Sequence, residues 1–288
     1  MIDLHTHSTA SDGTLAPSEL IIKAKQRGIS AIALTDHDTI GGLDEAARAA
    51  LEQGIRFIRG IELEIAWNPE GGEFHLLGLG LNNPSPSFYK AVEELARRRT
   101  DRNMEIISSM NKAGISASYD EIDRFKLETQ CSGKAVPDHS IGRLHFAAFL
   151  VKRKIAKNLE QAFARYLGKG KPFYTPKIGL DFEKAVQIIR DSGGIAILAH
   201  PMSLYTSWGR LPDLIKSLKD RGLDGLEAWH PAAKVSCCLR LEELGKKLQL
   251  HVTAGSDFHG ENRLDRKLGI SAGGKKIDEA FLEKIPNI

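Results

Sequence analysis

Ala31-Ile32-Ala33-Leu34-Thr35-Asp36-His37-Asp38 is a short aliphatic run that stops at a polar cluster containing a histidine. A run of this kind is too short for a buried helix and predicts a strand over residues 31–35. Its polar residues then sit at the strand's C-terminal end, where α/β folds place their active sites. Working outward in both directions, the same arrangement recurs. Residues 2–4 lead into His5-Thr6-His7, and residues 56–63 carry Glu62 near their end. Residues 195–199 lead into His200-Pro201, and residues 250–254 into Gly255-Ser256-Asp257-Phe258-His259. Residues 74–79, with His75 among apolar neighbours, and residues 225–228 complete seven predicted strands. Amphipathic segments fall between several of them, at 17–27, 43–53, 182–191 and 212–221, each bounded by Pro or Gly punctuation. Strand–helix alternation predicts a mostly parallel sheet with helices outside, and seven strands favour a closed or nearly closed barrel.

The middle of the chain reads differently. Residues 88–167 show helical patterning without a strand, including a long charged helix at 91–110 and further helices at 141–154 and 159–167. Asn82-Asn83-Pro84-Ser85-Pro86 marks the entry to this stretch, and Gly168-Lys169-Gly170-Lys171-Pro172 marks the exit. The expected organisation is an α/β barrel from residues 1–87 and 178–288, with residues 88–177 as a helical insertion that caps it.

Composition sets the class of environment. The chain has 288 residues, 42% hydrophobic and 27% charged, enough for a sizeable core. No apolar run approaches the roughly 18 residues that span a bilayer, and the first residues lack a signal-peptide pattern. Three cysteines, two of them adjacent, form no zinc-like pair. A cytoplasmic chain with no membrane partner is therefore expected. Net charge is +3, unevenly spread: residues 88–177 hold 18 Lys+Arg against 10 Asp+Glu. A basic insertion beside an acidic remainder suits an anionic substrate held next to bound cations.

Six of the ten histidines fall at or beside the predicted strands' polar clusters. On a strand, His5 and His7 point to one face, close enough to grip one cation. Buried His and carboxylate groups are costly unless paired or metallated. Their recurrence at consecutive strand ends therefore predicts a metal centre.

These residues resemble the PHP family, the polymerase and histidinol phosphatase superfamily. The likeness lies in His5-Thr6-His7-Ser8, Thr35-Asp36-His37-Asp38, Glu62, His200-Pro201 and Ser256-Asp257-Phe258-His259. The resemblance implies a distorted (β/α)₇ barrel with two or three divalent metal ions, Mn, Fe or Zn. Carried over by position, it implies a first metal on His5, His7, Glu62 and Asp257. A second would share Glu62 and add His75 and His200, and a third would use Asp12, His37 and His259. Asp12 stands where some family members have His, and its oxygen favours a harder ion such as Mn²⁺. Asp36 and Asp38 are read as supports for the ligands or as a helix cap.

Within the insertion, Ser140-Ile141-Gly142-Arg143-Leu144-His145 is similar to a Gly-Arg-x-His signature. That signature belongs to PHP proteins acting on nucleoside 3′,5′-bisphosphates and short oligonucleotides. With that resemblance, Arg143 is expected to fork onto a substrate phosphate and His145 to stack on a base or bond a phosphate; Lys177, at the insertion's return, is a further phosphate candidate, and His230, after a strand, is expected to border the pocket. Trp229, His139 and His251 read as structural. The expected reaction is phosphoester hydrolysis with water as nucleophile, oriented by Asp257 or His200. No GxSxG, P-loop or GxGxxG fingerprint offers another route. A phosphorylated small molecule or short oligonucleotide is the expected partner, because the arginine runs and aromatic motifs of long-nucleic-acid binders are absent. The alternatives are a phosphatase of a non-nucleotide metabolite, such as histidinol phosphate, and a metal-stabilised module without catalysis.

Overall fold

A computed structural model describes residues 1–66, 72–129, 141–176 and 179–283. Seven strands form one sheet in sequence order: β1 (Ile2–Asp3), β2 (Ala31–Leu34), β3 (Arg56–Glu64), β4 (His75–Leu79), β5 (Ile195–Leu198), β6 (Gly225–Trp229) and β7 (His251–Ala254). All seven lie where the hydrophobic runs predict them. The helices are α1 (Pro17–Gln26), α2 (Leu43–Gln53), α3 (Pro86–Lys112), α4 (Tyr119–Thr129), α5 (Arg143–Lys152), α6 (Leu159–Ala162), α7 (Phe182–Asp191), α8 (Leu211–Asp220), α9 (Val235–Lys247) and α10 (Ala280–Glu283). The sheet nearly closes on itself. Just beyond β1 and β7, Thr6 bridges Phe258, and the Asp257 N–H donates to the His5 carbonyl at 2.8 Å.

One strand runs against the others. β4 is antiparallel to both β3 and β5, whereas the remaining pairs are parallel. The cause is the short link from β3 to β4: a parallel return needs a crossover of about a dozen residues or more. Reversal has a functional result. His75, the first residue of β4, pairs with Glu64 at the end of β3. It therefore reaches the same rim as the C-terminal ends of the parallel strands.

Helix ends follow local chemistry. Gly54 closes α2 in the left-handed conformation at φ 62°, which glycine adopts without a Cβ clash. Asp181 caps α7 by accepting from the N–H groups of Glu183 and Lys184. Ser85 caps α3 by accepting from the Phe88 N–H at 3.2 Å. Helix α9 was not anticipated between β6 and β7. Its buried positions are Cys238, Leu241 and Gly245, so only one carries a strong apolar signal.

Two apolar clusters divide α3 between them. Phe88, Ala91 and Leu95 pack into the barrel core, whereas Ile106, Ile107 and Met110 join Phe146, Phe149, Leu150 and Phe173 in a separate core. Among the described residues, no helix is long and apolar enough to cross a membrane. The histidine at position 139 lies outside the described residues. Trp229 is buried, with its Nε1 donating to Glu242 at 2.7 Å, and His251 opens β7, away from the rim.

Candidate metal centre

Glu62, fully buried on β3, is the meeting point of the rim. Its Oε1 lies 2.9 Å from both His75 Nδ1 and His200 Nε2. Its Oε2 lies 2.9 Å from His37 Nδ1, 3.3 Å from His7 Nε2 and 3.4 Å from His5 Nε2. Asp257 Oδ1 approaches His7 Nε2 at 3.1 Å and His5 Nε2 at 3.4 Å. Asp12 Oδ1 is 3.2 Å from His259 Nε2, and Asp12 Oδ2 is 4.0 Å from His37 Nε2. Three groups of donor atoms fall within 4.8 Å of one another: His5, His7, Glu62 and Asp257; His7, Asp12, His37 and His259; and His37, Glu62 and His75. All nine rim residues named from the sequence thus converge.

The donor chemistry fits cations. His5 Nδ1 donates to Glu227 Oε1 at 3.0 Å, which turns His5 Nε2 toward His7 Nε2 at 3.1 Å. Two imidazole lone pairs so placed repel unless a proton or a metal ion lies between them. His7 Nδ1 is buried without a hydrogen-bond partner, and Glu62 Oε2, though ringed by three imidazoles, makes no hydrogen bond of good geometry, a costly state that a cation relieves. Burial by itself disfavours charge here, but it is outweighed. Glu227, Asp257 and Glu62 hold His5 well above its usual range, and Asp257 and Glu62 raise His7 to about 9. Conversely, His37, His75 and His5 hold Glu62 well below the usual carboxylate range despite its burial. A set of N and O donors without thiolate suits Mn, Fe or Zn.

Behind the rim, further groups fix the ligating side chains. Glu227, on β6, also accepts the His200 N–H at 2.8 Å, so one carboxylate orients two histidines. Asp36 accepts from the Ser8 N–H, the Ser8 hydroxyl and the Ser11 hydroxyl, pinning the loop that presents Asp12. Asp38 accepts from the Glu64 N–H and pairs with Arg99. Asp3 accepts from the Ser256 N–H and hydroxyl and from the Gly269 N–H, and burial pushes its carboxyl up to about 6. Arg266 and His230 hold Asp257 Oδ2. His200 and Asp257 sit at φ 27° and 51°, left-handed backbone that costs energy in a non-glycine residue and clusters at functional sites.

The residues expected to meet substrate are placed unevenly. Arg143 lines a cavity of about 400 Å³ that also exposes Asp12, Glu62 and His200. It lies 3.3 Å from Glu73. His230 borders a neighbouring cavity of about 330 Å³, with its Nε2 3.2 Å from Asp257 Oδ2. His145 does not line either cavity. It is buried, and its Nδ1 accepts the Gly142 N–H at 3.0 Å at the start of α5. The lysine at 177 lies outside the described residues. Sequence reasoning missed Glu227, Arg99, Arg102 and Arg266. For Glu227 a signal existed, a lone acid in the apolar strand Gly225-Leu226-Glu227-Ala228-Trp229.

A nearly closed α/β barrel with such a rim defines a metallohydrolase. The PHP domain model matches residues 3–170, and the chain belongs to the PHP family. It is 37% identical over 257 residues to a protein of Haemophilus influenzae named 5′-3′ exoribonuclease, covering 89% of each chain. It is 32% identical over 268 residues to the 3′,5′-nucleoside bisphosphate phosphatase of Chromobacterium violaceum, covering 93% of this chain and 90% of that one. A solved structure from Bifidobacterium adolescentis, described provisionally as a metal-dependent phosphoesterase, superposes with a TM-score of 0.82 at 25% identity. That likeness covers 98% of this chain and 94% of the other.

Proposed function

We propose that the chain is a metal-dependent phosphoesterase that removes the 3′-phosphate of nucleoside 3′,5′-bisphosphates and trims short oligonucleotides from the 5′ end. One observation carries this reading: a single cavity has the His and carboxylate rim on one side and Arg99, Arg102 and Arg143 on the other. Its volume of about 400 Å³ is of the size that takes a small ligand. The substrates named for the two relatives supply the chemical identity.

His5, His7, Glu62 and Asp257 would hold a first ion, Glu62, His75 and His200 a second, and Asp12, His37 and His259 a third. Bound divalent ions supply Lewis-acid activation of water and of the phosphoryl oxygens. Mn²⁺ is the favoured ion, given the oxygen donor at Asp12. The protein's part is to orient the reactants. Of the two candidates for aligning the attacking water, Asp257 is favoured. Its Oδ2 is anchored by Arg266 and His230, while both nitrogens of His200 are engaged, Nδ1 by Ser203 at 2.7 Å and Nε2 by Glu62. Arg143 forks onto phosphate once it leaves Glu73. His145, committed to the α5 start, is assigned no contact with substrate. We read residues 88–177 as the cap that closes the mouth, and the cytoplasm as the site of action.

The test is the double variant His5→Ala/His7→Ala. It is expected to lose most bound metal and all hydrolysis of adenosine 3′,5′-bisphosphate with Mn²⁺, while its circular dichroism stays native. Full activity in that variant would overturn the assignment. Faster turnover of histidinol phosphate than of the nucleotide by the unmodified protein would move the substrate class.

A further inference from the structure

The second cavity, of about 330 Å³, is also of the size that takes a small ligand. Glu73, His200, Asp257 and Arg263 line both cavities, so the two meet at the rim. From there they differ in chemistry. The first continues to arginines, and the second to Met202, Ala232, Ala233 and Leu241. The charged groups buried in the second are already engaged. Glu227 accepts from His5 and from the His200 N–H, and Arg266 pairs with Asp257. The cavity therefore suits an uncharged group. Arg266 is 6% exposed, and its Nε, 3.6 Å from Asp265, makes no hydrogen bond. That leaves a buried donor on a residue lining the cavity. Tyr205 lines it too, 75% exposed and at φ 53°. Left-handed backbone is costly in a tyrosine, and an exposed ring offers a face on which a base can stack.

We infer that this second cavity is the subsite for the nucleoside on the 5′-oxygen of the scissile phosphate, with Tyr205 as the platform for its base. This deepens the phosphoesterase reading and rests on it. In that reading the first cavity holds the terminal nucleotide, and the rim holds the phosphate on its 3′-oxygen. The oxygen of a water joins phosphorus, the P–O3′ bond breaks, and a proton of that water leaves with the 3′-oxygen. The phosphate stays on whatever its other ester oxygen carries. In a nucleoside 3′,5′-bisphosphate that oxygen carries nothing, so the reaction needs no room past the rim. In an oligonucleotide it carries the next nucleoside, which must lie past the rim from the first cavity. The second cavity meets that need and is surplus to the monoester reaction. Room there is what lets one rim trim oligonucleotides as well as release phosphate.

The experiment compares unmodified protein, Tyr205→Ala, Tyr205→Phe and Ala232→Trp, all loaded with Mn²⁺. Both positions are exposed, so the replacements leave the core intact. Three substrates share one terminal nucleotide: adenosine 3′,5′-bisphosphate, its 3′-phosphate methyl ester and the 5′-phosphorylated dinucleotide of adenosine. The unmodified protein is expected to prefer the dinucleotide over the methyl diester by about 10-fold in kcat/KM, the scale of one base stack. Tyr205→Ala, by removing the platform, and Ala232→Trp, by filling the cavity, are expected to bring the two diesters within about 3-fold of each other. Tyr205→Phe, which keeps the ring, is expected to keep the preference. An unmodified protein that treats the two diesters alike would overturn the subsite and leave the phosphoesterase reading standing. So would a preference that survives in both Tyr205→Ala and Ala232→Trp, or equal loss on all three substrates. Hydrolysis of the bisphosphate with neither diester cleaved would also overturn it, leaving a phosphatase. Failure on all three substrates would remove the phosphoesterase reading itself.

Discussion

Glu227 touches no expected substrate, yet it orients two of the nine rim residues, His5 through Nδ1 and His200 through its backbone N–H. Replacing it by Gln keeps the size and removes the charge that fixes the His5 ring. Partners of this kind are worth 10–100-fold in metal affinity. Glu227→Gln is therefore expected to weaken Mn²⁺ binding by about that factor in isothermal titration, with a native circular dichroism spectrum. Unchanged affinity would show that His5 holds its orientation without help. At this scale the sequence revealed the rim and, in Asp36 and Asp38, its nearest supports, but hid the distant ones. His5 and His7 announce themselves by spacing along one strand. Glu227 acts on a residue 222 positions away, and Arg99 disappears in the run Arg97-Arg98-Arg99. Their roles come from proximity across the fold, which no local pattern encodes. His145 carries a role its motif did not suggest: its Nδ1 accepts the Gly142 N–H at the start of α5.

Among the elements, the strands were legible because each is a short apolar run, most of them ending in polar residues. The direction of β4 was not, since alternation of hydrophobicity is the same for either orientation. Helix α9 escaped because Cys238 and Gly245 occupy positions where a stripe of large apolar side chains is normally sought. The junction just after β7 is the least forgiving point of the barrel. A Cβ added to Gly255 would lie 2.2 Å from His5 Cβ and 2.6 Å from Glu227 Oε1. Gly255→Ala must therefore push β7 away from β1. The expected result is loss of more than about 10-fold in metal affinity together with a lowered Tm. A variant with native metal content would mean that the rim tolerates this displacement.

For the molecule as a whole, the core around Phe146 is separate from the apolar clusters of the barrel, which implies more than one level of stability. Phe146 is fully buried in the second core. Phe146→Ala should cost about 3–5 kcal/mol there. Hydrogen exchange is expected to accelerate across residues 106–173 while the strands stay protected and Mn²⁺ stays bound. Uniform acceleration would show that the two cores unfold as one. Metal has the opposite reach. The nine rim residues, two on β3 and β4 and the rest in loops beyond strand ends, are drawn from positions 5 to 259, so ions bind the folded state alone. Mn²⁺ at about 100 times its Kd should add about 2.7 kcal/mol, a Tm rise of roughly 5 °C that EDTA reverses.

Helix α3 runs unbroken for 27 residues, about 40 Å, from the barrel core into the second core. Arg99 and Arg102 lie on its middle turns, after Leu95 and before Ile106. The span between the rim and the arginines across the cavity is thus a fixed gauge, cut in whole residues of one rod. One alanine inserted between Leu95 and Arg99 would swing every later side chain by about 100°. It would spoil the gauge while leaving the rim residues in place: p-nitrophenyl phosphate should still be cleaved, and hydrolysis of adenosine 3′,5′-bisphosphate should fall by more than about 10-fold in kcat/KM.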